Sequence, residues 1–137
     1  MKEKISPRSY AWYVGQTMKL YVTRDSVCAA DDGDAPHQRT LTVPDSQTVE
    51  PIVLAVVRGY ELPEIFGGLA TWSLSSNVPL AVIAQQWPDP RMTSALPRSV
   101  AECDTSGNYL RLHFSYFAQR DPEVVLEILQ RLQLRSP

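Results

Sequence analysis

Hydrophobic and polar positions alternate in several short stretches of the chain. In residues 18–24, Leu20 and Val22 fall on one side and Lys19, Tyr21 and Thr23 on the other, which predicts a strand. Residues 25–37 lose all periodicity and hold Gly33 and Pro36, so they read as a loop. Residues 38–43 alternate again, Leu41 and Val43 against Thr40 and Thr42, and predict a second strand paired to the first. From Val49 to Arg58 the period changes to that of a helix. Val49, Ile52, Val53, Val56 and Val57 form its apolar stripe, Ser46 or Thr48 can cap it, and Pro51 falls in the first turn. Gly59 is expected to end this helix in a left-handed conformation. Its many β-branched residues leave a strand as the competing reading.

Residues 60–68 read as an irregular connection with a turn at Gly67-Gly68. Residues 69–75 alternate. Residues 79–86 are almost continuously apolar from Leu80 to Ala84, as in a strand covered on both faces. The Ser75-Ser76-Asn77 junction predicts a hairpin between these two. Residues 87–107 carry Pro88, Pro90, Pro97 and Gly107 and read as a long loop with one helical turn near Arg98–Cys103. Residues 109–117 form the clearest strand. Leu110, Leu112, Phe114 and Tyr116 face one way, and Tyr109, Arg111, His113, Ser115 and Phe117 the other. Asp121 caps a final helix, with Pro122 at its first position and Glu123 near its positive end. Its expected buried stripe is Val124, Val125, Ile128, Leu129 and Leu132, and Glu127 and Arg131 are spaced to pair on the exposed side.

The order ββαβββα predicts an α+β fold, with a mostly antiparallel sheet of about five strands backed on one face by two helices. The 137 residues suit one domain, at 18–137, preceded by an N-terminal extension at 1–17. Hydrophobic residues make up 44% and charged residues 20%, which argues against global disorder. No apolar run approaches the roughly 18 residues of a membrane span. The N-terminal stretch is too aromatic for a signal peptide, so a cytoplasmic location is expected. Cys28 and Cys103 form no CxxC pair. They read as two buried free thiols, with one disulfide between them as the alternative.

The net charge of −2 excludes nucleic-acid binding driven by bulk charge. That average conceals a segregation. Residues 25–38 hold Asp25, Asp31, Asp32 and Asp34 with no Lys or Arg, so their −4 leaves +2 for the rest of the chain. Four carboxylates this close repel one another unless a cation or a basic partner is present. The stretch is a solvated turn, a contact surface for a basic protein face, or a divalent-metal site formed by Asp31, Asp32, Asp34 and His37. The EF-hand pattern is not matched, because Gly33 comes too early.

Catalytic signatures are sparse. His113 lies beside Arg111 and Ser115, where a nucleophilic arrangement with a loop aspartate is conceivable, but no GxSxG elbow accompanies it. Arg111 and His113 on one strand face also suit an anion. Gly67-Gly68 is no phosphate loop. Trp72 shares its strand face with Ala70 and Leu74 and reads as core. Trp87, beside Pro88, reads as an exposed anchor.

The acidic stretch Asp25–His37, with Leu62–Gly68 and Ala70–Trp72, resembles small bacterial immunity proteins of toxin–immunity pairs. The resemblance implies a non-enzymatic protein-binding module that neutralises a cognate toxin. In such pairs acidic side chains meet the basic face of a nuclease, which speeds encounter and suppresses wrong partners. The expected contact residues are Asp25, Asp31, Asp32, Asp34, His37 and Trp87. No cofactor, nucleic acid or membrane is expected as a partner. The alternative is a small metal-binding domain or hydrolase using the Asp/His cluster of residues 25–37, with His113. A third reading is a structural subunit whose exposed strand pairs with itself in a homodimer.

Overall fold

The computed structural model describes residues 16–27, 37–93 and 99–135. Six strands and two helices follow one another along these residues. They are β1 (Thr17–Arg24), β2 (Arg39–Pro44), α1 (Val49–Gly59), β3 (Thr71–Ser76), β4 (Val78–Ala84), β5 (Arg91–Met92), β6 (Leu110–Tyr116) and α2 (Pro122–Arg135). A single 3-10 turn, Val100–Glu102, precedes β6. The strands form one sheet in the order β2-β1-β6-β3-β4-β5. The fold is α+β, and the sheet is mixed. β1 runs parallel to β6, Leu20 opposite Leu110 and Arg24 opposite Phe114, while every other neighbouring pair is antiparallel. The sixth strand falls in the expected 87–107 loop. Two residues are too few to show an alternation.

Strand alternation sends side chains to two faces. On the first face Leu20 and Val22 of β1, Leu110, Leu112 and Phe114 of β6, and Trp72 and Leu74 of β3 form the core with Val49, Ile52, Val53 and Val56 of α1. The helix therefore wins over the strand reading of 49–58. Spacings of three and four residues are what bring those four side chains down on the sheet. Glu50 in its first turn and Arg58 in its last complement the helix dipole. Thr48 is the N-cap residue but makes no side-chain cap bond. Ser46 Oγ accepts the Thr48 N–H at 3.2 Å instead.

The expected left-handed end at Gly59 is not found. Gly59 is the last helical residue, and Tyr60 leaves it in an extended conformation, φ −101°, with its N–H on Val56 O. This exit turns Tyr60 into the core, where its ring lies 5.3 Å from that of Phe114. Gly59 faces β2 closely. A Cβ there would touch Leu41 Cδ1 at 3.5 Å, an ordinary contact.

The helices do not share a face, contrary to expectation. Val82 and Ala84 of β4 point away from the first core and are buried all the same. The cover on that side is α2, which packs on β4 through the buried Pro122 and Val125. The bond from Thr71 Oγ1 to Arg120 O, 2.7 Å, ties the start of α2 to β3. Asp121 caps α2 as expected, its Oδ1 accepting the Glu123 N–H at 2.9 Å. The Glu127–Arg131 pair is also formed, at 2.9 Å.

The expected buried stripe of α2 is only partly buried. Val125 is enclosed and Leu129 half-buried, whereas Val124, Ile128 and Leu132 are 48%, 51% and 56% exposed. The helix rests on β4 near the sheet edge, with only the two-residue β5 beyond it. That bearing surface is narrower than the stripe.

Candidate functional site

β1 and β6 run side by side, so their second-face residues stand in register. Thr23 is opposite His113, and Tyr21 is opposite Arg111. Thr23 Oγ1 lies 2.7 Å from His113 Nδ1. His113 Nε2 lies 2.8 Å from Asp25 Oδ1. Asp25 Oδ2 accepts the Tyr116 N–H at 2.9 Å, and the Asp25 N–H donates to Phe114 O at 2.9 Å. Burial pushes the Asp25 carboxyl up. The Tyr116 amide and the hydrogen bond and charge of His113 outweigh this and hold it below its ordinary value. An ionised carboxylate only accepts. In neutral His113 the proton then sits on Nε2, and Nδ1 accepts from the Thr23 hydroxyl. The chain Thr23–His113–Asp25 is thus able to polarise a hydroxyl. Ser115 stands opposite Ser73 of β3 and takes no part in it.

A cavity of about 300 Å³ opens beside this chain, lined by Tyr21, Thr23, Ser75, Asp104, Arg111 and His113. The Arg111 guanidinium lies over the Tyr21 ring, 4.8 Å from its centre, and its Nε donates to Ser106 Oγ at 2.8 Å. Arg111 and His113 thus share the second face and line this cavity, with Asp104 adding an opposing charge.

The acidic stretch leaves the sheet at this end of β1. Of its residues, Cys28, Asp31, Asp32 and Asp34 lie outside the described ones. Its two ends are fastened to each other. Ser26 Oγ lies 3.0 Å from His37 Nε2, the Tyr60 hydroxyl donates to His37 O, and the Tyr21 hydroxyl donates to Gln38 Oε1. Asp25 is turned towards His113 and Tyr116, and His37 towards Ser26. Among the described residues no group of three His, Cys, Asp or Glu side chains could hold a metal ion. None of the described helices is long and apolar enough to cross a membrane.

Comparison with protein-family models, curated proteins and solved structures finds no match to this chain.

A second hollow opens at the same end of the sheet. It is an apolar groove of about 700 Å³ between the end of β6 and α2, lined chiefly by Tyr116, Phe117, Val124, Val125, Ile128 and Leu129. Tyr116 lines this groove, its N–H holds Asp25, which in turn bonds His113, and its ring packs 4.7 Å from that of Trp72. Ala118, on the groove wall, has φ 55°, a conformation that costs an L-residue energy and turns the chain sharply into α2. The 61–70 connection reaches the same end, through Gln85 Nε2 to Ile65 O and Gln119 Nε2 to Phe66 O. Gly67 and Gly68, at φ 100° and 70°, make the turn there, and Phe66 beside it is 98% exposed.

Trp72 is core, as expected, at 2% exposed. Trp87 is half-buried rather than fully exposed, and the Arg91 guanidinium covers one face of its ring at 4.2 Å. Arg91 also pairs with Glu123 at 3.0 Å, joining β5 to α2. Cys103 is a buried free thiol, and burial pushes its pKa up.

Thr23 and Phe66 are absent from the sequence-derived site. Thr23 looks like any polar strand residue until the parallel pairing sets it against His113. Phe66 had a legible signal, an aromatic residue directly before a Gly-Gly turn.

Proposed function

We propose that this protein is a non-enzymatic binding module for another protein, most concretely an immunity protein that captures a cognate bacterial toxin in the cytoplasm. The observation that carries this reading is the open apolar groove between β6 and α2, at the sheet end where the acidic stretch departs. Exposed Val124 and Ile128 line it, and Phe66 stands beside it. Apolar side chains exposed together and rimmed by charge mark an interaction surface. The nearby −4 stretch selects a basic partner face and accelerates the encounter. Mixing the protein with a toxin encoded beside its gene should give a complex by calorimetry that weakens as salt rises, and should restore growth to toxin-producing cells. Neither heat of binding nor rescue would end the proposal.

The Thr23–His113–Asp25 chain favours a second reading, a small esterase. Thr23 Oγ1 would attack an ester carbonyl while its proton passes to His113 Nδ1. The proton then goes to the departing alkoxide, and water releases the acyl group from Thr23. Incubation with p-nitrophenyl acetate should place an acetyl group on Thr23, detected by peptide mass, and Thr23→Ala should abolish it. An enzyme that never carries the acetyl group sinks this reading without touching the first.

A further inference from the structure

The two edges of the sheet are built differently. The β5 edge is two residues long, follows Pro88 and Pro90, and carries Arg91. Short length, proline and charge are the devices that keep an edge from pairing. The β2 edge has none of them along its interior. It runs six residues in unbroken register with β1, and Thr40, Leu41, Thr42 and Val43 are all uncharged.

Which groups this edge presents follows from one bond. The Asp45 N–H donates to Gln16 O at 3.1 Å, so Asp45 faces β1. In an antiparallel ladder successive residues point their backbone groups to opposite sides. Val43, Leu41 and Arg39 therefore face β1, and Thr40, Thr42 and Pro44 face outward. Pro44 has no N–H to leave unpaired, which suits an outward position. Thr40 and Thr42 each present an outward N–H and C=O.

We infer that β2 pairs antiparallel with β2 of a second copy of this chain, about a two-fold axis at Thr42. In this register the two Thr42 residues exchange N–H···O=C bonds, and each Thr40 N–H donates to Pro44 C=O of the other copy. Leu41 meets Val43 of the other copy on the core face, which carries the apolar layer across the junction. Arg39 meets Asp45 of the other copy, twice by symmetry. Both side chains are on the exposed rim, and among the described residues neither has an ion-pair partner. The identical strands oppose no like charges, and their antiparallel course sets the two Gln38 residues, where the acidic stretches end, at opposite ends of the junction. The occupant is thus a second copy, because the strand is complementary to itself in hydrogen bonds, apolar contacts and charge. This pairing is tested apart from the toxin-binding reading: it is read from self-association of the chain alone, whether or not a toxin is captured.

Sedimentation equilibrium of the full chain over a wide concentration range tests it. The wild type should associate reversibly to a dimer. Thr42→Pro removes only an outward N–H, so it should keep the far-ultraviolet circular dichroism and be monomeric. Arg39→Asp should weaken the dimer about tenfold, and Arg39→Asp combined with Asp45→Arg should restore it. A wild type that stays monomeric throughout overturns the inference. So does a dimer that survives a folded Thr42→Pro. If Thr42→Pro does not fold, the charge exchange decides: no weakening in the single variant, or no recovery in the double, overturns the proposed pairing.

Discussion

Phe114→Ala should lower the free energy of unfolding by about 3–5 kcal/mol. Phe114 is fully buried in β6, between Leu74 of β3 and Arg24 of β1 in the ladder, and Tyr60 packs on its ring. Truncation removes the transfer free energy of an aromatic ring and leaves a cavity. The strands around it are hydrogen-bonded on both sides and cannot collapse into that space. A domain with about 5–15 kcal/mol in hand would lose about a fifth or more of its stability. The measurement is the urea midpoint, with an unchanged slope showing that the same surface unfolds. Phe114→Leu keeps most of the volume and should cost under about 1.5 kcal/mol. A loss below about 1 kcal/mol for the alanine variant would show that the β1–β6–β3 centre is not where the core is closed.

Asp25→Ala should cost about 1.5 kcal/mol, at the low end for hydrogen bonds to a charged group because the side chain is 44% exposed. The change takes the acceptor away from both the Tyr116 N–H and His113 Nε2. It has a pH signature. The Asp25 carboxyl is held below its ordinary value of 3.8, so its contribution is present above that value in the wild type. It is lost as pH falls through the still lower pKa of the folded state. The stability difference between wild type and Asp25→Ala should therefore shrink in strong acid. Paired denaturation curves at neutral and acid pH measure it. A difference that does not shrink once the carboxyl is protonated in strong acid would contradict the arrangement. The variant should also weaken capture of a basic partner, because the acidic stretch loses its fastening to the groove wall at Tyr116.

Much of this molecule was legible in the chain. Leu20 and Val22, then Leu110, Leu112 and Phe114, declare their strands because a half-buried strand must alternate. The apolar run Leu80–Ala84 declares a strand covered on both faces, and β4 is covered by α1-side core on one face and α2 on the other. Asp121 and Pro122 mark the start of α2, since both meet purely local needs of a helix N-terminus. The same locality explains the Gly67-Gly68 turn.

The candidate site was less legible. His113 and Asp25 are 88 residues apart in sequence, and Thr23 and His113 are 90 apart. No local pattern signals that they meet. Their meeting depends on β1 lying parallel to β6, which is set by how the whole chain between them wraps around the sheet. The division of the helices between two faces, and the exposed half of the α2 stripe, have the same origin. A hydrophobic stripe says that a helix must be covered, but not how wide its cover will be.

By itself, then, the sequence determined the two helices and every strand but the two-residue β5, the α+β class, the Asp121 cap of α2 and the segregation of charge into residues 25–38. These depend on neighbours within a turn or a strand, and on a sum over residues. Only the tertiary structure decided the parallel β1–β6 pair, the Thr23–His113–Asp25 chain it creates, the groove beside α2 and the β2 edge, which no other described strand covers. Each of these depends on which surfaces remain uncovered once distant segments have packed, and packing is a property of the whole chain.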